Sequence, residues 1–210
     1  MLRLIAALLI AAASTARAED VPGRFDYYVM SLSWSPDWCA LQGDARGSPQ
    51  CEAGRGNGWL LHGLWPQYAH GYPQDCRSRF AAPGRAETAA MADIMGTPGL
   101  AWHEWQAHGS CSGLTPHDYY ALARQAYATV VRPPVFRKLT GEVVLPAHVV
   151  EEAFLRDNPG MTGNMITITC QSGYIQEARI CLTRDLQLRA CGADVARDCT
   201  LDGARFAPVR

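Results

Sequence analysis

The chain has no surplus of positive charge and, beyond its first residues, no long hydrophobic run. Nineteen lysine and arginine residues stand against twenty carboxylates, a formal net charge of −1. Non-specific capture of a polyanion by an all-over basic surface is therefore excluded, and any cation that meets a phosphate must be a local one. After residue 13 no apolar stretch approaches the roughly 20 residues a membrane-spanning helix needs. No Cys-x-x-Cys pair occurs, and cysteine spacings of 12, 25 and 35 in the first half suit no compact zinc site. No serine stands in a Gly-x-Ser-x-Gly setting and the cysteines are expected to be oxidised, which leaves covalent acyl transfer without an obvious nucleophile. His103 and His108 are five apart, one too many for the His-Glu-x-x-His zinc geometry. No repeat, linker or low-complexity segment interrupts the order of elements.

What is present begins with an export signal. Arg3, an apolar run over residues 4–13 and the small-residue site Ala16-Arg17-Ala18 read as a signal peptide over residues 1–18. Ten apolar residues are too few for a spanning anchor. The expected mature domain is 19–210, where the loss of Arg3 and Arg17 and of no carboxylate takes the formal charge from −1 to −3. All eight cysteines lie within it. An even count behind an export signal predicts four disulfides and an oxidising compartment, periplasmic or extracellular. The length suits one domain with a substantial core, and no membrane association is expected of it.

Aromatic and β-branched residues over 25–34 predict a strand ending at Ser35-Pro36, and the apolar run 59–64 predicts a second, with His62 near the end of a central strand. Residues 68–83 read as a long loop pinned by Cys76. Helical signals cover 85–95 and 100–109. A better-marked helix has Thr115 as N-cap, Pro116 in its first turn and an apolar face running to Pro133-Pro134, and another covers 146–156. Strands follow at 165–170, 173–181 and 185–191, the last two as a hairpin. Helices between strands at both ends predict a single α+β domain, a mainly antiparallel central sheet packed with several helices and stapled by disulfides.

Two stretches carry the chemistry: Trp-Leu-Leu-His-Gly-Leu-Trp-Pro-Gln at 59–67 and Trp-His-Glu-Trp-Gln-Ala-His-Gly-Ser-Cys at 102–111. Histidine titrates nearest neutrality, so two imidazoles in one cleft can take and give a proton in one reaction without a cofactor. On a helix Glu104 and His108 fall about 40° apart, on one face. Two imidazoles and a carboxylate suit phosphodiester transfer, and RNA brings its own nucleophile, the 2′-OH. A lone histidine in an apolar strand is more often a core residue, and it is the second motif that singles out His62. Trp59, Trp102 and Trp105 are assigned mainly to core packing. Trp65 stands between core and base stacking, and His70, His117 and His148 read as surface residues.

Both stretches resemble the active-site segments of the ribonuclease T2 family, secreted acid ribonucleases: His62-Gly63-Leu64-Trp65-Pro66 in the first, and His103-Glu104-Trp105-Gln106-Ala107-His108-Gly109-Ser110-Cys111 in the second. The resemblance implies an endoribonuclease that cleaves single-stranded RNA by 2′-OH transesterification through a 2′,3′-cyclic phosphate, with low base specificity, no metal and no other cofactor. DNA lacks the nucleophile and is not expected as a substrate; a monomer is expected. By position, His108 would be the general base and His62 the general acid, with Glu104 and His103 supporting the phosphate. Trp65, Gln67 and Tyr72 would form a base site, where stacking makes little demand on sequence. The resemblance also implies the pairings Cys39–Cys51, Cys76–Cys111, Cys170–Cys199 and Cys181–Cys191. One position departs: where the family pattern has lysine, this chain has Ala107. Either catalysis is weakened, or another cation such as Arg77 or Arg79 reaches in from the loop. A weakened member that acts as an RNA- or protein-binding module is the alternative reading.

Overall fold

The structure, a computed structural model, describes residues 20–210, so the expected signal peptide lies outside the described residues. Six strands form one sheet: β1 (Tyr27–Trp34), β2 (Trp59–Gln67), β3 (Val143–Leu145), β4 (Ile166–Gln171), β5 (Tyr174–Leu182) and β6 (Ala204–Phe206). The order is β2-β1-β5-β6-β3 with β4 beside β5. All pairings are antiparallel except the single parallel one of Tyr174 with Arg205. Strand β1 is rich in aromatic and β-branched side chains that favour an extended backbone, and Pro36 ends it by opening a single helical turn, α1 (Ser35–Trp38). Strand β2 runs on to Gln67, past the expected end at Leu64.

The hairpin expected of 173–181 with 185–191 is instead β4 with β5, turning at Ser172-Gly173, both at positive φ (49° and 83°) as a tight two-residue turn demands. Residues 185–191 form no strand. Leu186 sits at φ 62°, which breaks the extended run, and only a bridge between Leu182 and Leu188 remains. The segment is held back on β5 by the Cys181–Cys191 disulfide.

The expected helix over 85–95 is broken at Met91 into α2 (Arg85–Ala90) and α3 (Ala92–Met95). Then come α4 (Pro98–Ala107), α5 (Pro116–Thr129) and α6 (Ala147–Asp157). The hydroxyls of Thr97 and Thr115 accept from the amides of Leu100 and Asp118, each at 3.1 Å, and so cap α4 and α5. The helices cover one face of the sheet, where Tyr28, Met30, Leu32 and Trp34 of β1 join Trp59, Trp105, Tyr119 and Phe154 in the main core. Trp102 departs from its expected place. Helix α4 turns Ala101, Glu104 and Trp105 inward, which leaves Trp102 44% exposed. Two buried phenols fix α5: Tyr119 donates to the Leu64 carbonyl at 3.1 Å and Tyr120 to the Ala101 carbonyl at 2.8 Å, tying α5 to β2 and α4.

On the opposite face, the alternate residues Tyr27 and Val29 make a small cluster with Cys181, Trp65, Cys191 and Val195. The eight cysteines form Cys39–Cys51, Cys76–Cys111, Cys170–Cys199 and Cys181–Cys191. Cys76–Cys111 joins the loop after β2 to the residues just beyond α4 and so brings the two motif-bearing segments together. Among the described residues, no helix is long and apolar enough to cross a membrane.

Candidate active site

The site lies on the sheet face opposite the main core, at an irregularity in β2. Ser31 faces Gly63 while Leu32 faces Leu61, so His62 is the unpaired residue of a β-bulge. Bulges re-aim side chains. Leu61 and Leu64 stay in the core, whereas the His62 side chain is 32% exposed. Strand β5 has a bulge of its own: Thr169 pairs with Glu177 and Cys170 with Ile175, leaving Gln176 unpaired. That shift of phase turns Ile175 to the core and sets Glu177 and Arg179 on the His62 side, opposite Ser33 and Ser31 of β1.

His62 is held by two carboxylates. Its Nδ1–H donates to Glu177 Oε1 at 2.5 Å, and its Nε2 lies 3.4 Å from Glu104 Oε1. The second oxygen of each acid is also engaged. Trp65 Nε1 donates to Glu104 Oε2 at 2.7 Å, and Arg179 donates through Nε and Nη2 to Glu177 Oε2 at 2.9 and 2.7 Å. The Trp65 ring lies between the imidazoles, its centroid 5.3 Å from that of His62 and 5.2 Å from that of His108, with the Arg179 guanidinium 5.3 Å over its face. Only glycine fits at position 63, because a Cβ there would lie 2.1 Å from Glu104 Oε2 and 2.3 Å from Trp65 Nε1. His108 is not on the helix proper: α4 ends at Ala107 and His108 is its C-cap, with its amide still bonded to the Glu104 carbonyl.

These surroundings push the two imidazoles apart. Burial lowers the His62 pKa, but the hydrogen bond and charge of Glu177 and the charge of Glu104 outweigh it and hold the ring above its ordinary value. Burial lowers His108 too, and the nearby His62 and His103 add to the effect, bringing it to about 4. Its Nδ1 is buried without a partner. Burial raises Glu104 against the opposing pull of His62 and Trp65. Glu177, though buried, is held well below the usual carboxylate range by His62 and Arg179.

Two cavities open at the site, one at each imidazole. One, of about 600 Å³, is lined by His62, His103, Glu177, Thr97 and Leu100. The other, of about 440 Å³, is lined by Trp65, Gln67, Tyr72, His108 and Arg179. His62, Trp65, Glu104 and His108 thus converge as neighbours, with exposed His103 on one side and Gln67 and Tyr72 on the other. Gln67 is buried, its amide donating to the Pro66 carbonyl at 3.0 Å, while Tyr72 is exposed and its ring is 6.3 Å from His108. Arg77 and Arg79 line neither cavity, and Arg79 lies instead over the Phe80 ring. His70, His117 and His148 are exposed. Glu177 and Arg179 are the members that sequence reasoning missed. Their signal was two opposite charges at strand spacing inside an otherwise apolar strand. Among the described residues the one cluster of three potential metal ligands, Cys39, Asp44 and Cys51, has both sulfurs in a disulfide.

A disulfide-stapled α+β domain whose cleft pairs two imidazoles with two buried carboxylates is, as a class, a scaffold for acid–base chemistry. The chain belongs to the Ribonuclease T2 family, whose model matches residues 25–191. It is similar to a ribonuclease of Aeromonas hydrophila, 43% identical over 138 residues, which is 64% of this chain and 61% of that protein. The match thus spans about three-fifths of the relative's length. Among solved structures the fold is similar to that of trichomaglin, an S-like ribonuclease, at a TM-score of 0.69 and 16% identity, covering 89% of this chain and 100% of that one. It is also similar to RNase NT in complex with 5′-AMP, at a TM-score of 0.62 and 17% identity, covering 89% and 99%.

Proposed function

We propose that the protein is an endoribonuclease that cleaves single-stranded RNA by transesterification, with low base specificity and no metal requirement. His108 removes the proton of the 2′-OH, O2′ bonds to phosphorus to close a 2′,3′-cyclic phosphate, the P–O5′ bond breaks, and His62 protonates the departing O5′. The observation that carries the reading is the convergence of two imidazoles on Trp65, His62 bonded to a buried carboxylate and His108 with a buried, unpartnered Nδ1, surroundings that tune the two rings in opposite directions. A ring held low is unprotonated and ready as base, while a ring held high keeps a proton to give, and such a split marks the acid–base roles. Glu177 takes the Nδ1–H of His62, which leaves Nε2–H as the proton for O5′. Glu104 and His103 border the phosphate, and the Trp65, Gln67, Tyr72 cavity is of a size to take a base. A periplasmic or extracellular place fits the four disulfides.

The test compares RNA with DNA of the same sequence, in excess chelator, for wild type and His108→Ala. The expected result is cleavage of RNA alone, lost in His108→Ala. Equal cutting of DNA or loss of activity with chelator would refute the mechanism. A wild type as inert as His108→Ala that still binds RNA would make the protein a binding module.

A further inference from the structure

We propose that Arg179 is the cation that stabilises the phosphorane, in place of the lysine the family pattern carries where this chain has Ala107. The inference rests on the ribonuclease reading above and adds to it a residue from a different strand. Ala107 is 4% exposed at the end of α4, its carbonyl accepting from the Asp75 amide at 2.9 Å, and it brings no charge. Transfer at phosphorus builds negative charge on the non-bridging oxygens, and two of the cleft's fixed groups, Glu104 and Glu177, are themselves acids. Without a permanent cation the phosphate would enter a site dominated by carboxylates.

Arg179 answers that need on geometry. It sits opposite Ser31, which in turn sits opposite Gly63, so the three share a row across β5, β1 and β2 beside the bulged His62. Its guanidinium is over the Trp65 face, and its side chain is 33% exposed and lines the same cavity as His108. Glu177 engages two of its N–H groups through one carboxylate oxygen. A guanidinium has five donors in a planar fork suited to phosphate, so three remain for the substrate. Glu177 is thereby a positioning residue for both ends of the reaction, with one oxygen on the proton donor and the other on the cation.

The test measures steady-state cleavage of a short RNA by wild type, Arg179→Gln and Arg179→Lys, each checked for its melting temperature. Loss of an oxyanion-stabilising donor lowers kcat by about 100- to 1000-fold. That loss is expected in Arg179→Gln with KM little changed, an intermediate rate in Arg179→Lys, and partial recovery of Arg179→Gln on adding guanidinium ion. A merely structural arginine would give no such recovery. Wild-type kcat in Arg179→Gln would overturn the proposal and leave the ribonuclease reading standing. So would a kcat lost equally in both variants without guanidinium rescue. A wild type that releases no cyclic phosphate would overturn both.

Discussion

At the scale of the residue, one imidazole differs from the other only through its neighbours. His62 has a carboxylate on each nitrogen, whereas His108 has a buried Nδ1 with no partner and two other imidazoles nearby. On the proposed mechanism the activity is expected to be bell-shaped in pH. As pH rises through about 4, His108 loses its proton and becomes a base; at higher pH, above the ordinary value of the ring, His62 loses the proton it is to donate. Glu177→Gln removes the charge that holds His62 high and leaves the burial that pulls it down. The descending limb of the kcat/KM profile is therefore expected to move to lower pH, with the ascending limb near 4 kept. A descending limb that stayed in place would show that Glu177 does not set the acid.

At the scale of the element, the C-terminal strand is held by a buried acid. Asp37 of α1 accepts from the Ala207 amide at 2.8 Å just beyond β6, its other oxygen is buried without a partner, and burial raises its pKa to about 8. The unfolded chain ionises near 4, so this contribution to stability is fully present below pH 4 and is lost as pH rises through 8. Asp37→Asn is expected to stabilise the fold by about 2–4 kcal/mol at pH 8 and by little at pH 4, measured by urea unfolding at both. An equal effect at both pH values would exclude titration as the cause.

The elements that were legible in the sequence are those that local chemistry decides: β1 and β2 by composition, and α5 by Thr115 and Pro116. Strands β3 and β6 are three residues each and exist only through pairing, while 185–191 has strand composition but is turned by Leu186 and its disulfide. The two motifs announced His62, Glu104 and His108 because their residue types are rare together. The bulge at His62 depends on its register with β1, and Glu177 and Arg179 look like ordinary strand charges until β1 lies beside them. Arg77 and Arg79 were attractive because they lie in the loop that follows the first motif, and nearness in the chain is a weaker guide than the sheet register.

At the scale of the whole molecule, a chain of net charge −1 has no overall positive charge to gather RNA, so on the proposed reading recognition falls to the cleft itself: stacking at Trp65 and Tyr72 and one guanidinium at the phosphate. Disulfides, sheet and helices serve one arrangement, with the proposed proton acceptor at the end of α4, the proposed proton donor in a bulge of β2 and the proposed cation on β5. The most direct test of that arrangement is the chemistry of the cut ends, read by phosphorus NMR during digestion of a defined oligoribonucleotide. A 2′,3′-cyclic phosphate paired with a new 5′-hydroxyl is the predicted result. A 5′-phosphate paired with a 3′-hydroxyl would contradict it, because those ends require water rather than the 2′-OH to attack phosphorus.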